Sequence, residues 1–252
     1  MISRQFFREL PLFKEEGLRK LQDSRVAVFG LGGVGSFCAE ALVRAGTGAL
    51  DVCDSDMVDI TNLNRQLVAY QNTVGKLKTE VFKERAADIH PGCRVVTYPV
   101  KLCRETLDSF PFQDYTYVAD CIDDVPAKLL LAEACEKAGV PLIMAMGAGN
   151  KLDPTKLEVS RISKTSVCPL ARRIRREFKE RRLKDVKCVF SKEEVKEGVD
   201  PRTPASVPFV PSVMGLIMAG EILTKEDFDI LGEGGLCLNC KVCVFPDCGF
   251  GK

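Results

Sequence analysis

The 252-residue chain has one histidine, no tryptophan and no apolar run long enough to span a bilayer. Each absence removes a class of mechanism. A Ser-His-Asp triad, a histidine base in a dehydrogenase and a multi-histidine zinc site would all have to use His90. That residue precedes Pro91 at the end of a helical pattern, where a helix-terminal role without chemistry is expected. The longest apolar stretches, residues 140–149 and 213–220, are short and carry Pro or Gly. The opening residues show no basic segment followed by an apolar one. A soluble, cytoplasmic protein is the expectation. Neither sign of charge is in excess, with 36 Lys and Arg against 35 Asp and Glu. Any surface for a polyanion must therefore be local.

Cysteine, by contrast, is abundant, with 12 in the chain. Eight are scattered, several inside apolar runs, as Cys53 and Cys121 are. They read as small buried hydrophobes in a reducing compartment. The other four lie in the last 16 residues, beyond a flexible glycine hinge at residues 232–235.

The apolar fraction of 46% supports one large domain with an appendage. Short β-branched and apolar runs predict strands at residues 25–30, 49–54, 94–98, 115–121 and 140–145. Helical spacing occupies residues 34–45, 75–89 and 127–137. Continuous apolar strands alternating with helices predict an α/β fold with a Rossmann-like, mostly parallel sheet and helices on both faces. The nucleotide-binding core spans about residues 24–150. It is extended by a strand at 156–162, a basic helix at 170–183 and an apolar helix at 213–223. The expected division is an adenylating domain over residues 1–231 and a hinge with a cysteine-rich tail over 232–252.

Gly30, Gly32, Gly33 and Gly35 form a GxGxxG turn between the first strand and its helix. Such glycines permit close backbone approach to phosphate at a helix N-terminus. Asp54, at the end of the second strand, is placed to accept from ribose hydroxyls. The following residues distinguish ATP from a nicotinamide cofactor. Phosphoryl and adenylyl transfer moves charge onto phosphate oxygens, which cations must meet. Arg65 and Lys78 can supply them, and Asp123 can hold Mg²⁺.

GLGGVGS, DSDMVDITNLNRQ, VGKLK and CIDD, in this order and spacing, resemble the adenylation site of the ubiquitin-activating-enzyme-like superfamily. The resemblance implies that the glycine loop lies under ATP and that Asp54 binds ribose, with Asp56 in the same nucleotide-binding set. It implies that Asn62, Arg65 and Lys78 engage the phosphates and that Asp123 binds Mg²⁺. It further implies a homodimer in which an N-terminal arginine, Arg8 or else Arg4, crosses to the other subunit.

Within that superfamily the chain resembles the tRNA threonylcarbamoyladenosine dehydratases over residues 8–224. The likeness is carried by RELPLFKEEG, Gly147-Ala-Gly149, Asp153-Pro154, Lys164-Thr165, Pro169-Leu-Ala171, CVFS and FVPSVMG. It implies ATP-dependent cyclising dehydration of N6-threonylcarbamoyladenosine beside the anticodon. Residues 172–187 carry nine basic residues against three acidic ones. Arg172, Arg173, Arg175, Arg176, Arg181 and Arg182 are the candidate contacts to tRNA phosphates. A solvated helix face with pairs such as Glu177–Arg181 is the alternative. Two other functions stay open: an adenylating activator of a ubiquitin-like sulfur-carrier protein, and a non-catalytic nucleotide-binding adaptor in a sulfur or redox relay. Cys168 and Cys188 flank the basic helix, and structural roles are expected for both.

The tail departs from what the resemblance requires. Cys237, Cys240, Cys243 and Cys248 fall within 12 residues. This spacing suits an iron–sulfur cluster or zinc, with a metal-free tail as the alternative, and leaves open a sulfur-transfer or redox partner.

Overall fold

The computed structural model describes residues 2–194 and 205–224. The tail cysteines and glycine hinge lie outside the described residues.

The elements run α1 (Leu10–Asp23), β1 (Arg25–Phe29), α2 (Gly35–Arg44), β2 (Ala49–Cys53), α3 (Lys78–Ile89) and β3 (Arg94–Tyr98). They continue with β4 (Tyr117–Asp120), α4 (Val125–Ala138), β5 (Leu142–Ala145), β6 (Leu157–Arg161), α5 (Pro169–Arg181), β7 (Lys187–Ser191) and α6 (Phe209–Thr224). Seven strands form one sheet in the order β3-β2-β1-β4-β5-β7-β6. All pairings are parallel except that of β6 with β7. The α/β expectation holds. Helix α1 and strand β7 are additions to the elements predicted. Helix α3 opens at Lys78, not at residue 75, because residues 75–77 are used to pair with the loop after β2.

Successive side chains of a strand point to opposite faces, and both faces here are apolar. Val26 and Val28 of β1 face a core built with Leu42 of α2, Phe82 of α3 and Met214, Met218 and Ile222 of α6. Ala27 and Phe29 face a second core with Leu131 of α4 and Ile174 and Phe178 of α5. Burying each such large side chain contributes about 1.5–3 kcal/mol, so the sheet is held from both sides. Helix α6 is pressed onto the start of α2 through Gly215. A Cβ there would lie 2.2 Å from the Val34 carbonyl oxygen. Helix α6 thereby braces the helix that follows the glycine loop.

Strand order reverses between β1 and β4. The chain leaves β1 toward β2 and β3 on one side and resumes at β4 on the other. This reversal opens a crevice at the carboxyl ends of the strands, where ligands of open α/β sheets bind. Among the described residues, no helix is long and apolar enough to cross a membrane.

Candidate active site

The turn after β1 fills the crevice. Gly30 has φ +91°, and a Cβ on it would sit 2.7 Å from the Cys121 carbonyl oxygen of the neighbouring turn. Its N–H donates to the Cys53 carbonyl at 2.7 Å. A Cβ on Gly35 would fall 1.7 Å from the Gly30 oxygen. A Cβ on Gly33 would fall 3.2 Å from Pro211 and 3.5 Å from Arg65 Cγ, whereas at Gly32 the nearest atom, Gln66 Nε2, is 4.0 Å away. Close packing thus demands Gly30 and Gly35. Gly32 has room within the fold.

Asp54 stands just past β2 and fixes the loop. Its Oδ2 accepts the Leu31 N–H at 2.7 Å, and its Oδ1 accepts the Asp56 N–H at 2.8 Å. Burial raises its carboxyl above the ordinary aspartate range, while Lys78 and those two amides pull it back. A raised pKa means that the carboxylate is protonated at a higher pH than an exposed aspartate. Its contribution to stability is therefore greatest at low pH and is lost as pH rises through the folded value. Its value as an acceptor runs the other way. ATP affinity should fall more steeply on acidification in wild type than in Asp54→Asn, whose remaining fall reports the nucleotide's own phosphate. Nucleotide titrations at several pH values check this; equally steep profiles in the two proteins count against a ribose role for Asp54.

Lys78 is held by a short ladder between the loops after β2 and before α3. Met57 bridges Leu77, and the Lys78 N–H donates to the Asp56 carbonyl at 3.1 Å. The ammonium, almost fully buried, donates to Asp56 Oδ2 at 2.7 Å and lies 3.8 Å from Asp54 Oδ1. It is thus gathered with Asp54 and Asp56, with donor capacity left for a phosphate beside them. Arg65 lies over Gly33, its Nη1 donating to the Thr61 carbonyl and Asn64 Oδ1, both at 2.9 Å. The Asn62 side chain closes a turn by accepting the Asp59 N–H at 3.1 Å. Its oxygen is engaged in this turn, which leaves the amide nitrogen as the donor a phosphate could meet.

Three carboxylates lie at and just after the end of β4, and their surroundings separate their roles. Asp120 is fully buried against Lys128. Asp124 caps α4 by accepting the Ala127 N–H at 3.0 Å. Asp123 is exposed and has no hydrogen bond or ion pair among the described residues. Its two free oxygens suit a hard cation such as Mg²⁺, which takes carboxylate and phosphate oxygens. Lys128 gives no signal in the sequence, because a lysine early in a helix is ordinary when its neighbours are unknown.

Arg8 is not at the site of its own chain. Phe6 packs on Gly46 and His90, at the far ends of α2 and α3, a helix length of about 15 Å from the glycine loop. His90 is the C-cap of α3, as its sequence position implied. Cys168 and Cys188 are both buried. Burial, with Asp185 nearby, pushes the Cys188 thiol up to about 12, so it is a neutral thiol and no nucleophile at pH 7.

Helix α5 starts beside the crevice. A Cβ on Gly147, just past β5, would lie 3.7 Å from Cys168 Sγ and 3.9 Å from Leu170 Cβ. Not all its arginines are available. Arg175 is half-buried and donates to the Thr165 carbonyl and hydroxyl at 2.5 and 2.7 Å, so anchoring a loop takes it out of the candidate RNA contacts. Arg181 pairs with Glu133 at 2.6 Å and with Glu177 at 3.5 Å, and Arg176 approaches Glu177 and Glu180. The side chains of Arg172, Arg173 and Arg182 are exposed, with no partner among the described residues.

The chain as a whole is similar to known proteins. The model of the ThiF family matches residues 2–227. The chain belongs to the ThiF family. Among its ThiF-family relatives, tRNA threonylcarbamoyladenosine dehydratase of Bacillus subtilis (strain 168) is 41% identical over 236 residues, covering 87% of this chain and 93% of that one. The Escherichia coli (strain K12) protein of the same name is 38% identical over 190 residues, covering 72% of this chain and 71% of that one. A crystal structure of the E. coli tRNA N6-threonylcarbamoyladenosine dehydratase in complex with ATP superimposes with a TM-score of 0.81 at 34% identity, covering 88% of this chain and 95% of that one.

Proposed function

We propose that the chain uses ATP to adenylate the carboxylate of N6-threonylcarbamoyladenosine beside the tRNA anticodon and closes it into a ring with net loss of water. The likeness to an ATP-bound dehydratase over nearly its whole length carries this reading. The substrate carboxylate attacks the α-phosphorus of ATP, and pyrophosphate leaves. The carbamoyl oxygen then attacks the activated carbonyl carbon, and AMP leaves with the former carboxylate oxygen.

The chain's own residues divide this work. Amides of the glycine loop and the N-terminus of α2 receive phosphate. Asp54 accepts from ribose. Arg65 and Lys78 meet the charge that develops on phosphate oxygens. Asp123 would hold Mg²⁺, whose chemistry would be neutralisation of charge on the phosphates. The working form is a cytoplasmic homodimer in which Arg8, or failing it Arg4, serves the partner's nucleotide. The adenylating unit spans residues 1–231. Cys237, Cys240, Cys243 and Cys248 of the tail are the candidate ligands of an iron–sulfur cluster or zinc, with a sulfur-transfer or redox protein as the candidate partner.

The test is incubation with ATP, Mg²⁺ and tRNA bearing threonylcarbamoyladenosine. AMP should appear, and the nucleoside mass should drop by one water under mild work-up. No AMP with any tRNA overturns the reading.

The free basic end of α5 yields a separate prediction. The double substitution Arg172→Glu/Arg173→Glu removes two phosphate contacts near the crevice. It should raise KM for tRNA by about tenfold or more and reduce the salt slope of binding by about 2, while ATP affinity holds. Filter binding at several salt concentrations, with ATP titration, checks it. An unchanged KM makes this face of α5 a solvated surface.

A further inference from the structure

Asp120 and Lys128 form a pair that the scheme above leaves unused. Both are fully shielded from solvent. An ammonium in the opening turns of α4 is out of place, since a helix N-terminus carries partial positive charge and favours anions. A buried cation without partners is more unfavourable still. Two acceptors from two different strands hold it there. Lys128 Nζ donates to Asp120 Oδ2 at 3.0 Å, at the end of β4, and to the Ala145 carbonyl at 2.8 Å, at the end of β5. The other oxygen of Asp120 accepts the Ile122 N–H at 3.0 Å. The connection thus runs from α4 through Asp120 to the residue just before Asp123. On its other side this turn meets the glycine loop, where the Cys121 carbonyl leaves no room for a Cβ on Gly30. Packing alone does not call for a lysine here, because apolar side chains of similar volume often replace buried ion pairs without loss of stability.

We propose that Lys128 is a positioning residue: with Asp120 it ties the ends of β4 and β5 to α4, and so holds the turn at residues 121–123, with its Asp123 carboxylate, against the glycine loop. The inference rests on the reading of Asp123 as the Mg²⁺-binding carboxylate. Groups that orient a metal ligand typically change metal affinity by about 10–100-fold when removed.

Lys128→Met alone strands Asp120 as a buried, unpaired carboxylate and threatens the fold. The decisive variant is therefore the double substitution Asp120→Asn/Lys128→Met, which is neutral and still offers an acceptor to the Ile122 amide. Three quantities are read on purified full-length protein: Mn²⁺ affinity by electron paramagnetic resonance with a non-hydrolysable ATP analogue, analogue affinity without metal, and hydrogen exchange of the peptide covering residues 120–124. The folded double variant should lose about tenfold or more in Mn²⁺ affinity, approaching Asp123→Ala. It should exchange faster at residues 121–123 and keep its metal-free analogue affinity. Wild-type Mn²⁺ affinity and exchange in the double variant would overturn the inference. Wild-type protein that binds no Mn²⁺ with the analogue would overturn the Asp123 reading and this inference with it. That failure shows before any substitution is made, so the two are told apart.

Discussion

Substituting alanine for each of the three carboxylates at the end of β4, Asp120, Asp123 and Asp124, should give three different results. Asp123→Ala should reduce AMP formation by on the order of 10³-fold while leaving metal-free ATP affinity and the melting temperature close to wild type. The side chain is exposed and has no partner among the described residues, so its loss removes nothing that holds the fold. Asp124→Ala should cost about 1 kcal/mol of stability through the lost cap and leave the rate near wild type. Asp120→Ala should be the most destabilising of the three, by about 3–5 kcal/mol, because it leaves the Lys128 ammonium buried and uncompensated. Single-turnover AMP formation and thermal melts of the three proteins decide the matter. A slow, stable Asp124→Ala beside a fast Asp123→Ala would reassign the metal-binding carboxylate.

Gly35→Ala should be the most damaging single methyl group in the nucleotide loop. Its Cβ would lie 1.7 Å from the Gly30 carbonyl oxygen and 2.9 Å from Cys121 Cβ. The first neighbour is backbone, and that backbone is pinned by the Gly30 N–H bond to Cys53. A flexible side chain could swing away, but a hydrogen-bonded turn must move as a unit. The expected loss is about 3 kcal/mol or more, a melting shift of roughly 6–12 °C for a domain of this size, together with loss of ATP binding. Gly32→Ala is the control. Nothing in the fold lies closer than 4.0 Å to its added Cβ, so its stability should be near wild type, and any loss of ATP affinity reports how closely the nucleotide approaches. Equal melting of Gly35→Ala and wild type would mean that the loop shifts freely, and the packing account of the glycines would fail.

Much of this molecule was legible from residue order. Strand runs such as RVAVF and ALDVC, apolar on both faces, require covering on both sides, which in a chain of alternating helices means a parallel sheet. Glycines between strand and helix, a carboxylate ending the next strand and separated cationic motifs marked the nucleotide site, because those features are local in sequence. Strand β7 (KCVFS) was missed since its length and composition do not tell a short buried strand from loop, and its pairing with β5 and β6 is long-range. Helix α1 was missed because Pro11 and Gly17 weaken its pattern.

The sequence by itself determined the sheet type and the glycine turn, each from residues close together in the chain, and the family of chemistry, from four motifs kept in order over residues 30–124. Only the tertiary structure decided which of three neighbouring aspartates is available, which arginines of α5 are already engaged, and that a lysine in α4 joins two strand ends. These depend on burial and on partners tens of residues away. The availability of a charged group is set by what surrounds it in space, and residue order alone does not specify that.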